Sequence, residues 1–481
     1  MPTAQQSPPP PQTDAPAPAA PVPAVAIGDS RWSADACATV VARLGRQLSG
    51  QGLRAGDIVL RATDDPVHLL LMQHALVYAG AGLLPHPADL SAAAVDDLSA
   101  AVGAEWRWHA GSLMASGLHR AGDQPNRFAP ALLIRTSGSG GAPKAVMLTT
   151  AQLLASAERV NAALDLQAGD EWLCVLPLHH IGGLAIGWRC ALAGATLRLL
   201  RDAVQGGFNA QALAAALARH PITHLSLVPA MLARLLEVMP TPPQGLRVLL
   251  LGGQALHPAL ARRASAAGWP LYLSYGMSET SSMIAVGAWQ EDVASGCRVG
   301  PPLPDVTLDC AEPHAPPRAL RLRGPMLMSG YADASRRPGV GLADGWLTTS
   351  DLCRLDADGA LRIFGRADDL VVIGGEQVSP AAVEAKLAAA PGVQEVAVVT
   401  LDHPHWGATL AACWRGPAAP AAVEAWCRSA LSVRERPRIF RRINALPLLA
   451  SGKPDRAALV RLAATPDTPG CLQMREGFDA S

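Results

Sequence analysis

The sequence lacks an excess of either charge. Among its 481 residues, Lys plus Arg and Asp plus Glu are equal at 40 each. No overall electrostatic field therefore favours nucleic acid or an anionic membrane as a partner. A charged ligand would therefore have to be bound by charged or polar side chains within its own binding site.

The sequence also lacks the cysteine spacings of disulfide-rich and zinc-binding proteins. Its nine cysteines are scattered from Cys37 to Cys471, are odd in number and never form a C-x-x-C pair. This pattern argues against a disulfide framework and against a structural zinc site. It predicts a reducing, cytoplasmic location.

Neither a signal peptide nor a membrane span is indicated. The N-terminal residues are rich in Pro and Ala but have no basic start and no apolar core, so residues 1–27 are expected to be a disordered extension. The longest apolar segment, Leu69 to Leu84, is interrupted by Gln73 and His74 and is too short to cross a membrane. We predict a buried helix for this segment.

From Ile58 onward, short apolar runs alternate with longer helical patterns rich in Ala and Leu. The predicted strands are Ile58–Leu60, Ala131–Ile134, Leu173–Leu176, Thr196–Leu200, Leu225–Val228 and Val248–Leu251. The predicted helices include Ala151–Leu164, Ala210–Arg219, Ala230–Val238 and Pro258–Ala267. Continuous apolar strands separated by helices are typical of parallel sheets covered on both faces, which is the doubly wound α/β class. Such sheets bind ligands at the carboxyl ends of their strands.

The length allows two or three domains. After Gly300 the pattern changes to short strands and Gly/Pro turns, and from Leu361 to Ala463 it becomes a compact mixed segment. We predict a large domain over residues 28–366, which joins the parallel sheets to a β-rich subdomain. A small, mobile α+β domain is predicted over residues 367–465, followed by a tail over residues 466–481.

One loop has the composition of a phosphate-binding site. The segment TSGSGGAPK follows the apolar run Ala131–Ile134, as expected for a strand that feeds a flexible loop. It combines glycines, which let the backbone approach a ligand, with hydroxyl donors and a cation. These residues are Thr136, Ser137, Gly138, Ser139, Gly140, Gly141 and Lys144. A Walker loop is excluded because Lys144 lies between Pro143 and Ala145. Taken alone, the segment is also compatible with a solvated linker.

Three further motifs follow predicted strands. LPLHHIGG contains His179 and His180, and adjacent histidines on a strand point to opposite faces, so a shared metal ion is not favoured. LLGGQAL and LSYGMSET each place glycines and polar side chains after a strand. Their candidate residues are Gly252, Gly253, Tyr275, Gly276, Glu279, Thr280 and Ser281. Taken singly, Tyr275 is compatible with a core aromatic and Glu279 with a surface charge.

These motifs, in this order, resemble those of the adenylate-forming superfamily of acyl-CoA synthetases, luciferases and adenylation domains. The family loop usually reads TSGSTGxPK, so Gly140 replaces a threonine and one hydroxyl donor is missing. The resemblance extends from about Ile58 to Leu462. It implies an enzyme that uses ATP to join a carboxylic acid to AMP and then transfers the acyl group to a thiol.

The resemblance also implies roles for the nucleotide-binding residues. Tyr275 would stack on adenine, Thr280 would contact the α-phosphate and Glu279 would help to hold Mg²⁺. In GWLTTSDLCRLDADGALRIFGR, Asp351 would accept hydrogen bonds from the ribose hydroxyls and Arg366 would contact ribose or phosphate.

The remaining implied roles concern the acyl group, the thiol and the catalytic lysine. His179 and His180 would line the acyl pocket, with His180 near the carboxylate that is activated. Asp368 matches the hinge position, and Gly374–Gly375 matches the loop that forms the pantetheine tunnel. Lys453, in LPLLASGKPDRAAL, matches the lysine that stabilises the adenylation transition state, although an exposed lysine between Gly and Pro is otherwise a surface cation.

Within the superfamily, the segments IGWRCALAGATL, SLVPAMLARLL and SYGMSETSSMIA are most similar to the o-succinylbenzoate–CoA ligases of menaquinone biosynthesis. Their substrate carries a second carboxylate, for which Arg189 is a candidate cation and Ser281 and Ser282 are candidate donors. The alternative for Arg189 is an exposed helix residue. This resemblance implies ATP, Mg²⁺ and CoA as cofactors and co-substrates, and a homodimer is an open possibility.

Three alternatives stay open from the sequence. The enzyme is a ligase for another aryl or medium-chain acid, or it is a stand-alone adenylation protein that loads a carrier protein. The third is a non-catalytic member that binds nucleotide, which Gly140 makes conceivable.

Overall fold

The computed structural model describes residues 20–117, 128–136, 144–200, 208–292, 296–403, 406–449, 454–465 and 471–473. Its helices are α1 Ala34–Gly50, α2 Pro66–Tyr78, α3 Ala92–Val102, α4 Thr150–Leu164, α5 Ile181–Ala193, α6 Ala210–Arg219, α7 Pro229–Val238, α8 Pro258–Ala266, α9 Pro380–Leu387, α10 Pro420–Ala430 and α11 Arg456–Ala464.

The strands of the first half are β1 Ala24–Ile27, β2 Ser30–Trp32, β3 Ile58–Ala62, β4 Gly82–His86, β5 Trp106–His109, β6 Ser112–Ala115, β7 Leu132–Thr136, β8 Lys144–Leu148, β9 Glu171–Cys174, β10 Thr196–Leu199, β11 His224–Leu227, β12 Val248–Leu251, β13 Leu271–Met277 and β14 Ser282–Ala288. Those of the second half are β15 Cys297–Gly300, β16 Thr307–Asp309, β17 Arg318–Arg323, β18 Gly330–Ala332, β19 Leu347–Leu355, β20 Leu361–Arg366, β21 Val371–Ile373, β22 Glu376–Val378, β23 Glu395–His403, β24 Gly407–Arg415, β25 Ile439–Arg442 and β26 Cys471–Gln473.

The largest sheet has eight strands in the order β14-β13-β12-β11-β9-β10-β1-β2. The inner six strands are parallel, and the edge strands β2 and β14 are antiparallel to their neighbours. Central strands such as Val248–Leu251 are buried at every residue, as expected for a sheet with helices on both faces. The prediction of a doubly wound parallel α/β fold is confirmed.

A second sheet has seven strands in the order β18-β8-β7-β4-β3-β5-β6, of which β5, β3, β4 and β7 are parallel. Here the predicted buried helix over Leu69–Leu84 is wrong in its last part. Helix α2 ends at Tyr78, Gly80 turns the chain at φ +72°, and strand β4 begins at Gly82. A side chain at residue 82 would lie 2.2 Å from the carbonyl oxygen of Pro130, so the strand approaches its neighbour too closely for any residue but glycine.

The other predicted elements lie within about two residues of the observed ones. Helix α6 and strand β12 have the predicted bounds, whereas the strand predicted over Leu173–Leu176 is observed at Glu171–Cys174. Several buried strands include polar residues at their ends. The ends of a strand are therefore predicted less accurately than its centre when only the apolar run is used.

The β-rich segment predicted after Gly300 forms a five-stranded antiparallel sheet in the order β15-β20-β19-β17-β16. In this sheet Asp351 on β19 is registered with Arg366 on β20. The sheet thereby brings together two motif residues that lie on neighbouring strands.

The C-terminal segment is of the predicted α+β type. A four-stranded sheet, β23-β24-β25-β26, packs with α9 and α10 around Val383, Val398 and Phe440, and with α11 in a second cluster around Ala397 and Leu459. Strands β21 and β22 form a separate hairpin. Arg415 in this segment forms an ion pair with Glu237 on α7 at 2.9 Å. The domain limits stay predictions. Among the helices that the structure describes, none combines the length and the apolar character needed to cross a membrane.

Candidate nucleotide and acyl-binding site

The phosphate-loop motif joins two paired strands. Thr136 ends β7, Lys144 begins β8, and the two residues are registered across this antiparallel pair. The Thr136 hydroxyl donates to the Lys144 carbonyl oxygen at 3.4 Å. Ser137, Gly138, Ser139, Gly140 and Gly141 lie outside the described residues. The predicted strand and the exposed lysine at the other end of the loop are both present.

Tyr331, which sequence reasoning missed, connects Lys144 with Glu279. The Lys144 Nζ lies 4.8 Å from the centre of the Tyr331 ring, and the Tyr331 hydroxyl donates to Glu279 Oε1 at 2.8 Å. Burial and the neighbouring carboxylate raise the pKa of Tyr331 well above its ordinary value, so the hydroxyl stays protonated and acts as a donor. The loop lysine and the candidate metal carboxylate thus share one aromatic neighbour.

Three residues from two motifs, which lie on strands β13, β19 and β20, meet in one place. The Tyr275 hydroxyl donates to Asp351 Oδ2 at 2.5 Å, although 76 positions separate the two residues. Arg366 Nη1 lies 3.6 Å from Asp351 Oδ1, and the same guanidinium donates to Asp368 at 2.8 and 2.6 Å. The structure therefore places three candidate side chains in one network: the carboxylate predicted to bind ribose, the aromatic ring predicted to stack on adenine and the aspartate at the predicted hinge.

Burial dominates the protonation of this network. It raises the pKa of Asp351 above its ordinary value even though Tyr275 and Arg366 favour the carboxylate form. The pKa of Tyr275 is also raised, first by burial and then by the charge of Asp351. Tyr275 is therefore a hydrogen-bond donor, and Asp351 is the acceptor that polar hydroxyls of a ligand would meet.

Glycines allow the backbone to fold tightly beside these side chains. A side chain at Gly276 would lie 1.9 Å from the carbonyl oxygen of Ser282, at the point where the register of β13 and β14 shifts. Gly252 and Gly253 follow β12, the neighbour of β13 in the sheet. All three candidate glycines thus lie at the end of the parallel sheet, where a ligand is expected.

The hydroxyls of Thr280 and Ser281 are engaged within the protein. Thr280 is fully buried in a short 3₁₀ turn, Ser278–Thr280, and its hydroxyl donates to the Ser282 carbonyl oxygen at 2.7 Å and accepts from the Met277 N–H at 3.0 Å. The Ser281 hydroxyl donates to the Met326 carbonyl oxygen at 2.8 Å. The contact of Thr280 with the α-phosphate and the place of Ser281 in the acyl pocket stay predictions.

The backbone is strained immediately after this turn. Ser281 has φ 53° and Ser282 has φ 124°, values that non-glycine residues rarely adopt. Strain of this kind persists where the surrounding structure fixes a side chain in place. The side chain held here is that of Ser282, which accepts a hydrogen bond from Arg189 Nη2 at 2.8 Å.

Arg189 is buried, so the alternative of an exposed helix residue is wrong. It is 1% exposed on α5, and its guanidinium lies 5.2 Å from the centre of the Trp172 ring. Within the described residues, its Nε has no hydrogen-bond partner, and no carboxylate is among the charged neighbours that act on its pKa. Burial lowers the pKa of Arg189 to about 10, which keeps it charged at neutral pH. A buried cation without a counter-ion is costly unless a ligand supplies the anion.

The two histidines do not point to opposite faces. Strand β9 ends at Cys174, and His179 and His180 lie in the turn before α5 with ring centroids 4.4 Å apart. The prediction assumed a strand at these positions and is wrong for that reason. Burial lowers the pKa of His179, which favours neutral imidazole. Among the described residues, no group of three or more His, Cys, Asp or Glu side chains is arranged to hold a metal ion.

The hinge and tunnel candidates lie in the C-terminal part. Asp368 belongs to a short 3₁₀ turn, Ala367–Asp369, directly after β20. Gly374 and Gly375 form the turn between β21 and β22 with φ values of +56° and +86°. Lys453 lies outside the described residues.

Comparison with known proteins identifies the family. Residues 106–332 match the family profile of AMP-binding enzymes, and residues 382–453 match that of the AMP-binding enzyme C-terminal domain. The 2-succinylbenzoate–CoA ligase of Geobacillus kaustophilus is 31% identical over 449 residues, which cover 87% of this chain and 90% of that protein. The chain belongs to the AMP-binding enzyme family.

Solved structures agree with this assignment. The o-succinylbenzoate CoA synthetase of Bacillus subtilis in complex with its acyl-adenylate intermediate superimposes on this AMP-binding enzyme with a TM-score of 0.77 and 26% identity, over 91% of this chain and 95% of that one. A structure of the Bacillus subtilis protein with ATP and magnesium ion gives a TM-score of 0.77 and 25% identity, over 91% of this chain and 96% of that one.

Two features of this AMP-binding enzyme were beyond sequence reasoning. Tyr331 is one of only four tyrosines and follows a glycine after an apolar run, which is a weak signal for a site residue. Trp172 lies just before the predicted strand Leu173–Leu176, and its position in the sequence gives no sign of its contact with Arg189. In both cases the contact depends on how distant strands assemble.

Proposed function

We propose that this AMP-binding enzyme is an ATP-dependent acid–CoA ligase whose substrate is o-succinylbenzoate, an aromatic acid with two carboxylates. The observation that carries the proposal is Arg189, a buried cation whose polar contacts include Ser282 and which has no carboxylate partner among the described residues. The names of the relatives agree with this substrate, since both the ligase from Geobacillus kaustophilus and the synthetase from Bacillus subtilis act on it.

The reaction has two steps. One carboxylate of the acid attacks the α-phosphate of ATP, a P–O bond to the acid forms, and the bond to the leaving pyrophosphate breaks. The thiol of CoA then gives its proton to solvent, its sulfur attacks the acyl carbon, and the bond from that carbon to the phosphate oxygen breaks so that AMP leaves. Positioning and charge neutralisation supply most of the catalysis in such transfers.

The nucleoside end of ATP fits the network of Tyr275, Asp351 and Arg366. Asp351 is an acceptor-only group when ionised, as a ribose diol requires, and Tyr275 supplies an aromatic ring whose hydroxyl is fixed by the same carboxylate. Arg366 is held beside them by Asp368. We assign nucleoside binding to these three residues.

The residues present fit a magnesium ion bound mainly by the nucleotide. Mg²⁺ prefers oxygen ligands and is often held by one or two carboxylates plus substrate phosphates. Glu279 offers one carboxylate, whose Oε1 accepts a hydrogen bond from the Tyr331 hydroxyl at 2.8 Å. The Lys144 ammonium lies over the face of the Tyr331 ring. When bound, the ion neutralises charge on the phosphates. Lys144 and the loop that precedes it supply further donors to these phosphates.

Arg189 explains the choice of a diacid. A guanidinium binds a carboxylate through two parallel hydrogen bonds, and such a pair is strong in a buried site. Trp172 packs beside the guanidinium, and Ser282 fixes one of its nitrogens. A monocarboxylic aryl or medium-chain acid would leave this cation without an anion, and we therefore place the second carboxylate here.

The C-terminal part supports CoA as the acceptor. Arg434 and Arg438 stack on Trp406, with guanidinium carbons 4.8 and 4.7 Å from its ring centre. The Trp406 carbonyl oxygen accepts a hydrogen bond from the Gly374 N–H at 3.1 Å, so these cations adjoin the candidate tunnel turn. Burial and the neighbouring arginines lower the pKa of Arg438, as expected where cations crowd. Phosphate groups, which CoA carries, would relieve this repulsion.

We further propose that the part after Asp368 rotates between the two steps and brings Lys453 to the reacting carboxylate during the first step. We also propose a cytoplasmic location, which the eight free cysteines among the described residues support.

The test is pyrophosphate release by the purified full chain with ATP and Mg²⁺. The panel contains o-succinylbenzoate, benzoate, a medium-chain acid and a short diacid. We expect release with o-succinylbenzoate at least about 100-fold faster than with the monocarboxylic acids, since a buried charge pair is worth several kcal/mol. Thioester formation is then measured with CoA and with a pantetheinylated carrier protein.

Each alternative has its own outcome in this assay. Equal rates with benzoate would contradict the diacid assignment. Thioester formation only on the carrier protein would favour the stand-alone adenylation protein. Absence of pyrophosphate release with every acid, together with ATP binding, would favour the non-catalytic alternative.

A further inference from the structure

Tyr331 contacts both of the charged residues that the proposed function places beside the phosphates. Its ring lies under the Lys144 ammonium with 4.8 Å between Nζ and the ring centre. Its hydroxyl donates to Glu279 Oε1 at 2.8 Å. One side chain thus contacts a cation through its face and an anion through its hydroxyl.

The backbone holds this tyrosine firmly. Strand β18 pairs with β8, where Tyr331 is registered with Val146, two residues after Lys144. The Tyr331 N–H donates to the Val340 carbonyl oxygen at 2.9 Å. A side chain at Gly341 would lie 2.4 Å from the Tyr331 ring, so the following loop closes directly onto the ring. The ring therefore has little freedom to move.

Glu279 is fixed at a second point. Its carbonyl oxygen accepts from the Met328 N–H at 2.7 Å, three residues before Tyr331. Both the backbone and the carboxylate of Glu279 thus contact the segment that carries Tyr331. The hydrogen bond from Tyr331 uses one carboxylate oxygen and orients the other, as outer-shell donors do at metal sites.

We propose that Tyr331 is a positioning residue that sets Lys144 and Glu279 at a fixed separation for Mg²⁺-bound ATP. This inference rests on the proposed function. The ring attracts the ammonium by a cation–π interaction and keeps it from pairing with Glu279 directly. Glu279 accordingly stays available to a cation, and Lys144 stays available to phosphate.

Two substitutions separate the hydroxyl from the ring. Tyr331→Phe removes the donor to Glu279 and keeps the ring beneath Lys144. Tyr331→Leu removes both contacts. Tyr78→Phe is the matched control, because Tyr78 is 50% exposed on α2.

The first measurement is ATP affinity by titration calorimetry without any acid, once with Mg²⁺ and once with EDTA. For Tyr331→Phe we expect Mg²⁺-bound ATP to bind roughly tenfold more weakly, and ATP in EDTA to bind within about twofold of the unmodified enzyme. For Tyr331→Leu we expect ATP binding in EDTA to weaken as well, by about threefold or more, because the aromatic ring that contacts the Lys144 ammonium is lost.

The second measurement is the Mg²⁺ concentration that gives half-maximal pyrophosphate release. We expect it to rise about fivefold in Tyr331→Phe, while the melting temperature without ligand stays that of the control. A purely structural role would lower the melting temperature and weaken ATP binding equally with and without Mg²⁺.

The outcomes are distinct. If Tyr331→Phe binds ATP like the unmodified enzyme under both conditions, the proposal is overturned while the proposed function stands. Equal weakening in Mg²⁺ and in EDTA also overturns it. If the unmodified enzyme neither binds ATP nor releases pyrophosphate, both the proposed function and the role of Tyr331 fail.

Discussion

Arg189 donates a hydrogen bond to the hydroxyl of Ser282 at 2.8 Å across 93 positions of sequence, in a place where the arginine is only 1% exposed. The backbone of Ser282 has φ 124° at this contact. The buried cation and the strained serine therefore form a polar site in the interior of the protein. The cost of burying this charge is offset when an anion binds to it.

We predict that Arg189→Met lowers kcat/KM for o-succinylbenzoate on the order of 100-fold, since the second carboxylate would be buried without a partner. Pyrophosphate release at varied acid concentration measures this. The free energy of unfolding is expected to stay equal or to rise by about 1 kcal/mol, because methionine removes a desolvated charge. Arg189→Lys is the control that keeps the charge and loses the paired donors. A similar loss with benzoate would contradict the assignment.

The contact between Tyr275 and Asp351 predicts a preference for ribose. The unmodified enzyme should use ATP roughly tenfold better than 2′-deoxy-ATP, because a hydrogen bond to a carboxylate is lost. Asp351→Asn should remove most of this preference and lower kcat/KM for ATP itself by a similar factor. The measurement is pyrophosphate release with each nucleotide, with Tyr275→Phe as the control that leaves the carboxylate in place. An unchanged preference in Asp351→Asn would place the ribose elsewhere.

The sequence predicted the scaffold well because local rules decide it. Strand Val248–Leu251 is an unbroken apolar run, and helix Ala210–Arg219 begins after Asn209, whose side chain accepts from the Ala212 N–H as an N-cap. Motif order also placed Tyr275, Asp351 and Arg366 at one site, and the structure brings them together.

Other features depend on assembly and escaped prediction. The burial of Arg189 runs against the general exposure of arginine, so its sequence context favoured neither alternative. The close contact between the tilted rings of His179 and His180 follows from a turn where a strand was expected. Tyr331 reaches Glu279 only because β18 pairs with β8. Contacts of this kind are set by register between distant strands and leave no local pattern.

His74 predicts a loss of stability in mild acid. It is 2% exposed on α2, packs against Trp188 with ring centroids 4.8 Å apart, and has no hydrogen-bond partner for either ring nitrogen among the described residues. Burial lowers the pKa of His74 from 6.5 to about 4. The unfolded chain therefore binds a proton at this residue from about pH 6.5 downward, and the folded chain binds it only near pH 4.

Protonation of His74 therefore favours the unfolded chain. Above pH 6.5 the residue is neutral in both states and does not change the free energy of unfolding. As the pH drops from 6.5 to 4, that free energy falls by roughly 3 kcal/mol in total. Urea unfolding at pH 7.5, 6, 5 and 4.5 is expected to show a shallower decline in His74→Phe than in the unmodified enzyme. His109→Gln, at an exposed position, is the control and should keep the full decline. Equal slopes in all three proteins would contradict a neutral buried His74.

Lys453 is predicted to act in the first step alone. The chain has three lysines, Lys144, Lys386 and Lys453, so Lys386→Ala is a natural control. Lys386 forms an ion pair with Glu435 at 2.6 Å in the same C-terminal part. We expect Lys453→Ala to lower pyrophosphate release on the order of 1000-fold or more, since a transition-state charge loses its partner. Thioester formation from supplied acyl-adenylate should be nearly unchanged. Equal loss of both steps would contradict this role.

Arg438 is predicted to act in the second step alone. Its guanidinium stacks on Trp406, and the Trp406 carbonyl oxygen accepts a hydrogen bond from the Gly374 N–H. Replacing Arg438 by Gln removes a cation from a site where phosphates of CoA are expected to bind, and the KM for CoA should rise roughly tenfold. Pyrophosphate release in the absence of CoA should stay within about twofold, because the proposed acid and ATP sites involve other residues. Arg428→Gln, at a position whose side chain is 63% exposed, is the control. If Arg438→Gln slowed both steps alike, the cation would be holding the fold of the C-terminal part, and thioester assays with the carrier protein would then show the same loss as those with CoA.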